Sequence, residues 1–184
     1  MASDRMAKAT EGCAAGPGRP LRVMQVVEAM TGGTRRFVLD VATGLDPEEF
    51  RQHVVMSTRR DRFAAEDLAI LEAAGVEATV LDIVRSLHPA RDLAGFCALR
   101  RIIGEWHPDI VHAHSSKAGF LARAAIHYGH WPEKRPLALY SPHCFAFQAC
   151  VGIVRQRFYL EIERLAASWT DCFVFISAGE RRAA

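Results

Sequence analysis

Short apolar runs rich in β-branched residues recur along the chain, and a segment of helical periodicity separates each run from the next. This alternation restricts the fold more than any other feature. Parallel strands joined by helices must lie in one sheet covered on both faces, and such strands read as continuous apolar runs. The runs fall at Leu21–Glu28 (LRVMQVVE), His53–Ser57, Val76–Ile83, Asp109–His114, Leu137–Ser141 and Cys172–Ile176. Between them, Phe37, Val38, Val41, Ala42 and Leu45 recur at helical spacing. Phe63–Ala74 is a helix stopped by Gly75, a natural C-cap. Asp92–Trp106 places Leu93, Phe96, Ile103 and Trp106 on its inner side, and Ser116–Tyr128 and Gly152–Trp169 supply two more helices. The predicted class is α/β, a Rossmann-like parallel sheet with helices on both faces and right-handed crossovers. Ligands of such sheets bind beyond the carboxyl ends of the strands, so functional residues are expected after strands one, four and five.

Length and composition bound the remaining choices. The 184 residues suit one domain, and the 50% hydrophobic content supports a core that needs no disulfides. Residues 1–20 are small, polar and rich in Gly and Pro, and are expected to form a flexible tail ahead of a domain at 21–184. Five cysteines, at 13, 97, 144, 150 and 172, include no CxxC pair, which argues against a disulfide scaffold or a zinc ribbon. A net charge of +2 excludes the basic bulk of a general nucleic-acid binder, so no nucleic-acid partner is expected. No apolar run approaches the ~20 residues of a membrane span, and the first residues lack the apolar core of a signal peptide. The expected location is the cytosol.

Three segments combine chemistry with the right position. Gly32-Gly33-Thr34 follows the first strand and opens a helix, where free amides and the positive dipole end favour a phosphate. The same glycines also serve a tight strand-to-helix turn, and the spacing matches neither GxGxxG nor the P-loop. His112-Ala113-His114-Ser115-Ser116-Lys117 ends the fourth strand. Alternation puts both histidines on one face, with His114 at the rim and His112 deeper, as a packed residue. Either serine suits the helix N-cap, and Lys117 suits solvent as readily as a ligand. Ser141-Pro142-His143-Cys144 follows the fifth strand. The histidines lack a carboxylate or paired cysteine at a metal-site spacing, so no metal is expected. Two basic-aromatic groups, Arg59, Arg60 and Arg62 beside Phe63, and Arg155 and Arg157 near Phe158, suit either solvent or an anionic membrane surface.

Four stretches, LRVMQVVEAMTGGTRRFVLDVATGL, PDIVHAHSSKAGFLARAA, LYSPHCFAF and ERLAASWTDCFVFISAGERR, resemble the N-terminal domain of GT-B glycosyltransferases of family 4, of the bacterial exopolysaccharide type. The resemblance implies an acceptor-side domain of an enzyme that moves a sugar from a nucleotide-sugar donor to a lipid-linked or saccharide acceptor, with retention and without a metal or cofactor. It implies that Gly32, Gly33 and Thr34 face the donor diphosphate and that His114 lies by the transferring sugar as the catalytic residue. It places Ser115, Ser116, Lys117 and His143 on the cleft or acceptor side, with Lys117 at an acceptor phosphate. A lipid-linked acceptor further implies peripheral contact with the inner membrane face. The family's second domain carries Glu-x7-Glu, a spacing found nowhere here. The chain is therefore expected to lack the donor domain and to be inactive alone. Two other classes fit the residues: a non-catalytic module that holds the acceptor or a partner chain, and a different Rossmann-like enzyme acting on a phosphorylated small molecule.

Overall fold

The computed structural model describes residues 18–59, 62–132, 134–148 and 152–183. Six strands, β1 (Leu21–Val27), β2 (Phe50–Met56), β3 (Glu77–Val80), β4 (Ile110–His114), β5 (Leu137–Ser141) and β6 (Cys172–Phe173), form one sheet in the order β3-β2-β1-β4-β5-β6. All neighbouring strands are parallel. The chain winds outward from β1 in both directions, so the order reverses between β1 and β4. That switch point opens a crevice at the carboxyl edge. In register, Val27 stands opposite Met56 and His114, and His114 opposite Ser141.

The helices are α1 (Gly32–Gly44), α2 (Ala64–Ala73), α3 (Pro89–Trp106), α4 (Ser116–His127), α5 (Ile153–Ala167) and α6 (Ala178–Ala183), with a 3-10 turn at Ala146–Gln148. Strand alternation sorts the core into two layers. Met24, Val26, Val55, Val111 and Ala113 face α3 and α4, where they meet Leu99, Ile103, Leu121 and Ala125. Val27, Val54 and Met56 face the other way and meet Val38, Leu39, Ala42 and Leu71 of α1 and α2. Arg35 fastens those two helices, its Nε donating to the buried Asp67 carboxylate at 2.8 Å.

The expected elements are all present, with shifted ends. Leu93 is a correction: it is 63% exposed, not on the inner side. Helix α3 begins earlier, at Pro89, and its inner stripe runs through Gly95, Leu99, Ile102, Ile103 and Trp106. Gly95 lies on the stripe that faces Leu121 of α4, and Leu93 lies about 200° around the helix from it. Strands β3 and β6, at the two edges, are shorter than their apolar runs. Arg19 corrects the inner end of the expected tail, since its guanidinium grips the Asp109 carboxylate at 2.8 and 2.7 Å. The tail expectation for residues 1–17, and Cys13, Arg60 and Cys150, lie outside the described residues. Among the described residues, no helix is long and apolar enough to cross a membrane.

Candidate functional site

Strands β1, β2, β4 and β5 carry a polar array on the face turned to α1, and it reaches the carboxyl ends of β4 and β5. Alternation requires it: the positions between Met24 and Val26, and between Val111 and Ala113, point away from the α3–α4 layer. Gln25 and His112 stand opposite each other in register, and Gln52, His114 and Ser141 complete the group. His114 is completely buried. Its Nε2 lies 2.8 Å from Gln25 Oε1 and its Nδ1 lies 3.0 Å from His143 Nε2. The Gln25 amide nitrogen donates in turn to Gln52 Oε1 at 3.2 Å. With the amides so oriented, His114 donates from Nε2 and accepts at Nδ1 from the Nε2–H of His143.

His112 forms a second, shorter chain. Its Nε2 is 2.8 Å from Ser141 Oγ, whose hydroxyl donates to the Val174 carbonyl at 3.0 Å. Phe37 of α1 covers all three imidazoles edge-on, with ring centroids 6.1, 5.7 and 5.3 Å from His112, His114 and His143.

This environment keeps the histidines neutral near pH 7. Burial, reinforced by His143, pushes His112 down to about 4. Burial also holds His114 well below the usual histidine range, with His112 and His143 adding to the effect. His143 is half-buried and lowered by that burial, with Glu180 opposing. Uncharged imidazoles can donate and accept along one chain, which imidazolium ions cannot. No described group of three or more His, Cys, Asp or Glu is arranged to hold a metal ion.

The backbone at this edge is strained. Ser115 takes φ 63°, ψ 161°, a region occupied almost only by glycine. His143 and Cys144 have φ 54° and 143°. Each such residue costs roughly 1–3 kcal/mol, and strain of this kind concentrates at functional sites.

The predicted residues separate into three groups. Gly32, Gly33 and Thr34 form the first turn of α1, which starts earlier than a separate glycine loop allows. Gly32 needs its glycine, at φ 55°, and Thr31 caps the helix without a side-chain bond, so the first-turn amides stay open. His114 and His143 are joined. The others turn inward. Lys117 pairs with Asp92 at 2.5 Å and donates to the Ser86 carbonyl at 3.2 Å, which ties α4 to the loop before α3. Its ammonium does not stand open to an acceptor phosphate. Ser116 Oγ accepts from the Ala146 amide at 3.1 Å and holds the loop after β5. Ser115 Oγ is buried without a hydrogen bond. Sequence reasoning missed Gln25, Gln52, Phe37 and Ser141. The available signal was a glutamine in the middle of an apolar strand, where a polar side chain needs a buried partner.

A Rossmann-like domain with a neutral polar array at its switch point is the class defined by fold and site. The sequence profile described as glycosyl transferase 4-like domain matches residues 32–184, and the chain belongs to that family. An uncharacterized 41.2 kDa protein in the cps region of Klebsiella pneumoniae is 37% identical over 76 residues, 41% of this chain and 21% of that protein. The chain spans about a fifth to a quarter of the length of the curated relatives it matches. Among solved structures, a UDP-N-acetylglucosamine 2-epimerase aligns with TM-score 0.60 and 14% identity over 89% of this chain and 44% of its own. MurG of Acinetobacter baumannii aligns with TM-score 0.59 and 14% identity over 88% of this chain and 42% of its own. These two likenesses establish the fold.

Proposed function

We propose that this domain forms the acceptor side of a glycosyltransferase that moves a sugar from a nucleotide-sugar donor to a lipid-linked or saccharide acceptor in polysaccharide assembly, and that it is inactive alone. One observation carries the reading: the histidine array sits at the sheet's switch point, covered by Phe37 of α1. The open amides of Gly32, Gly33 and Thr34 suit a diphosphate, because the helix dipole favours negative charge there. His143 is the half-buried end of the array and the member that meets the sugar. His114 acts from beneath it, and Phe37 keeps water off both rings. In a retaining transfer the donor C–O bond breaks toward an oxocarbenium-like state and the leaving diphosphate takes the acceptor's proton. The protein's task is then positioning and charge stabilisation. The relative encoded in a cps region supports a polysaccharide product. The first turns of α5, with exposed Ile153, Val154 and Phe158 among Arg155 and Arg157, suit contact with an anionic membrane that holds a lipid-linked acceptor.

Incubation with radiolabelled nucleotide sugars and membrane acceptor lipids tests the reading. The 184-residue chain is expected to give no turnover. A form joined to a nucleotide-binding second domain is expected to transfer sugar, with His143→Ala lowering kcat about 10²–10³-fold and leaving KM nearly unchanged. Clear turnover by the 184-residue chain, or an unaltered kcat in His143→Ala, would overturn it.

A further inference from the structure

The array has an ordered polarity that the proposed chemistry does not by itself require. Gln25 presents its amide oxygen to His114 and its nitrogen to Gln52 Oε1, with Gln52 Nε2 left buried without a hydrogen bond. An oxygen can only accept, so the proton of His114 must sit on Nε2. Its Nδ1 is then a bare acceptor, and the ring nitrogen 3.0 Å away, Nε2 of His143, must carry a proton. A neutral imidazole holds one proton, so Nδ1 of His143 is left bare. No described residue bonds that nitrogen, and His143 is the half-buried end of the chain.

We infer that Gln25 and His114 are positioning residues: through the chain Gln52–Gln25–His114–His143 they fix the tautomer and pose of His143, so that it meets a ligand as a hydrogen-bond acceptor. The inference rests on the reading of His143 as the sugar-facing residue, and it deepens that reading. A bare Nδ1 accepts from a sugar hydroxyl and is repelled by a phosphate oxygen. The division of labour at the site follows: His143 reads a hydroxyl of the sugar, while the α1 amides take the diphosphate. The strained φ of His143, at 54°, fits a residue held in one pose by its surroundings.

The test reads protons, not turnover, so it stands or falls separately from the transferase assay. Long-range 1H–15N correlation spectra of the 15N-labelled 184-residue chain at pH 7.5 report which nitrogen of each imidazole is protonated. His143 and His114 are both expected in the Nε2–H form. Gln25→Leu and His114→Phe remove the acceptor at two different points and are expected to convert His143 to a mixture of tautomers. Either variant suffices if the other fails to fold. Two results overturn the inference: Nδ1–H on His143 in the parent chain, or a single Nε2–H form surviving in whichever apolar variant folds.

Discussion

Arg123 and His114 are both fully buried polar side chains, and they differ in what surrounds them. Arg123 lies between α4, α5 and β5, and its bonds close on themselves. Its Nε donates to the Gly119 carbonyl at 2.8 Å, one terminal nitrogen to Thr170 at 3.2 Å and the other to Glu163 at 2.9 Å. Tyr140 donates to the second Glu163 oxygen at 3.0 Å, and its ring stacks 3.8 Å beneath the guanidinium. Charge is matched by charge, and the group leads nowhere. The histidine array is uncharged, runs in one direction and ends at a half-buried ring among backbone strained at Ser115, His143 and Cys144. A closed polar cluster fixes helices; an open one presents a hydrogen-bonding end to something outside.

The comparison breaks most sharply at Glu163. Replacing it with Leu leaves the Arg123 charge buried without a counter-ion and is expected to cost about 3–5 kcal/mol, seen as a lower midpoint in urea at unchanged m-value. The double replacement Arg123→Met with Glu163→Leu removes both charges and is expected to recover most of that loss. A cost below about 1 kcal/mol for the single change would mean that the cluster is not the clamp described.

Acid should act on the open cluster. His112, held at about 4, and His114, held well below the usual value, stay neutral in the folded chain while the unfolded chain takes up protons below about 6.5. The unfolded state then binds more protons, so stability falls as pH drops from about 6.5 toward 4 and is fully present above it. His112 alone accounts for a loss on the order of 3 kcal/mol across that window. Thermal unfolding between pH 7.5 and 4.5 is expected to show the slope, and His112→Gln to reduce it. An equal slope in the variant would place the acid sensitivity elsewhere.

The two clusters also differed in how far they could be read ahead. The parallel sheet and its crossover class follow from periodicity, because apolar runs and helical spacing are local properties of the chain; the strand order does not. His143 and His114 were singled out as strand-end residues for the same reason. Their link was not legible, since a hydrogen bond between residues 29 apart depends on the register of β4 against β5. The pairing of Lys117 was not legible either, since its partner, Asp92, is 25 residues away on another helix. Gln25 and Gln52 were visible as polar interruptions in apolar strands, but only the pairing of β1 with β2 shows that each supplies the other's partner. Leu93 was misassigned because the buried stripe of α3 begins at Gly95, a glycine that apolar periodicity does not count.

The smallest effect concerns the outer face of the helix that Glu163 anchors. With its inner side held by Arg123, α5 turns Ile153 and Val154, 70% and 85% exposed, outward beside Arg155, Arg157 and the half-exposed Phe158. The other basic group is weaker than its sequence suggests. Arg59 is bound to Asp82, with one guanidinium–carboxylate contact at 2.9 Å, and Arg62 sits over the Phe63 ring. Membrane contact is therefore expected at α5. Each basic residue near an anionic surface contributes at most about 1 kcal/mol, so attachment is weak, reversible and lost in high salt. Flotation with phosphatidylserine vesicles is expected to carry the chain in low salt, and phosphatidylcholine vesicles to leave it behind. Arg155→Glu with Arg157→Glu is expected to weaken binding roughly 30-fold, for about 2 kcal/mol. Arg59→Glu, which alters a cation already paired, is expected to have a much smaller effect. Equal flotation of the α5 double variant and the parent chain would remove α5 as the contact, and no flotation of the parent chain would remove the membrane from the proposed function.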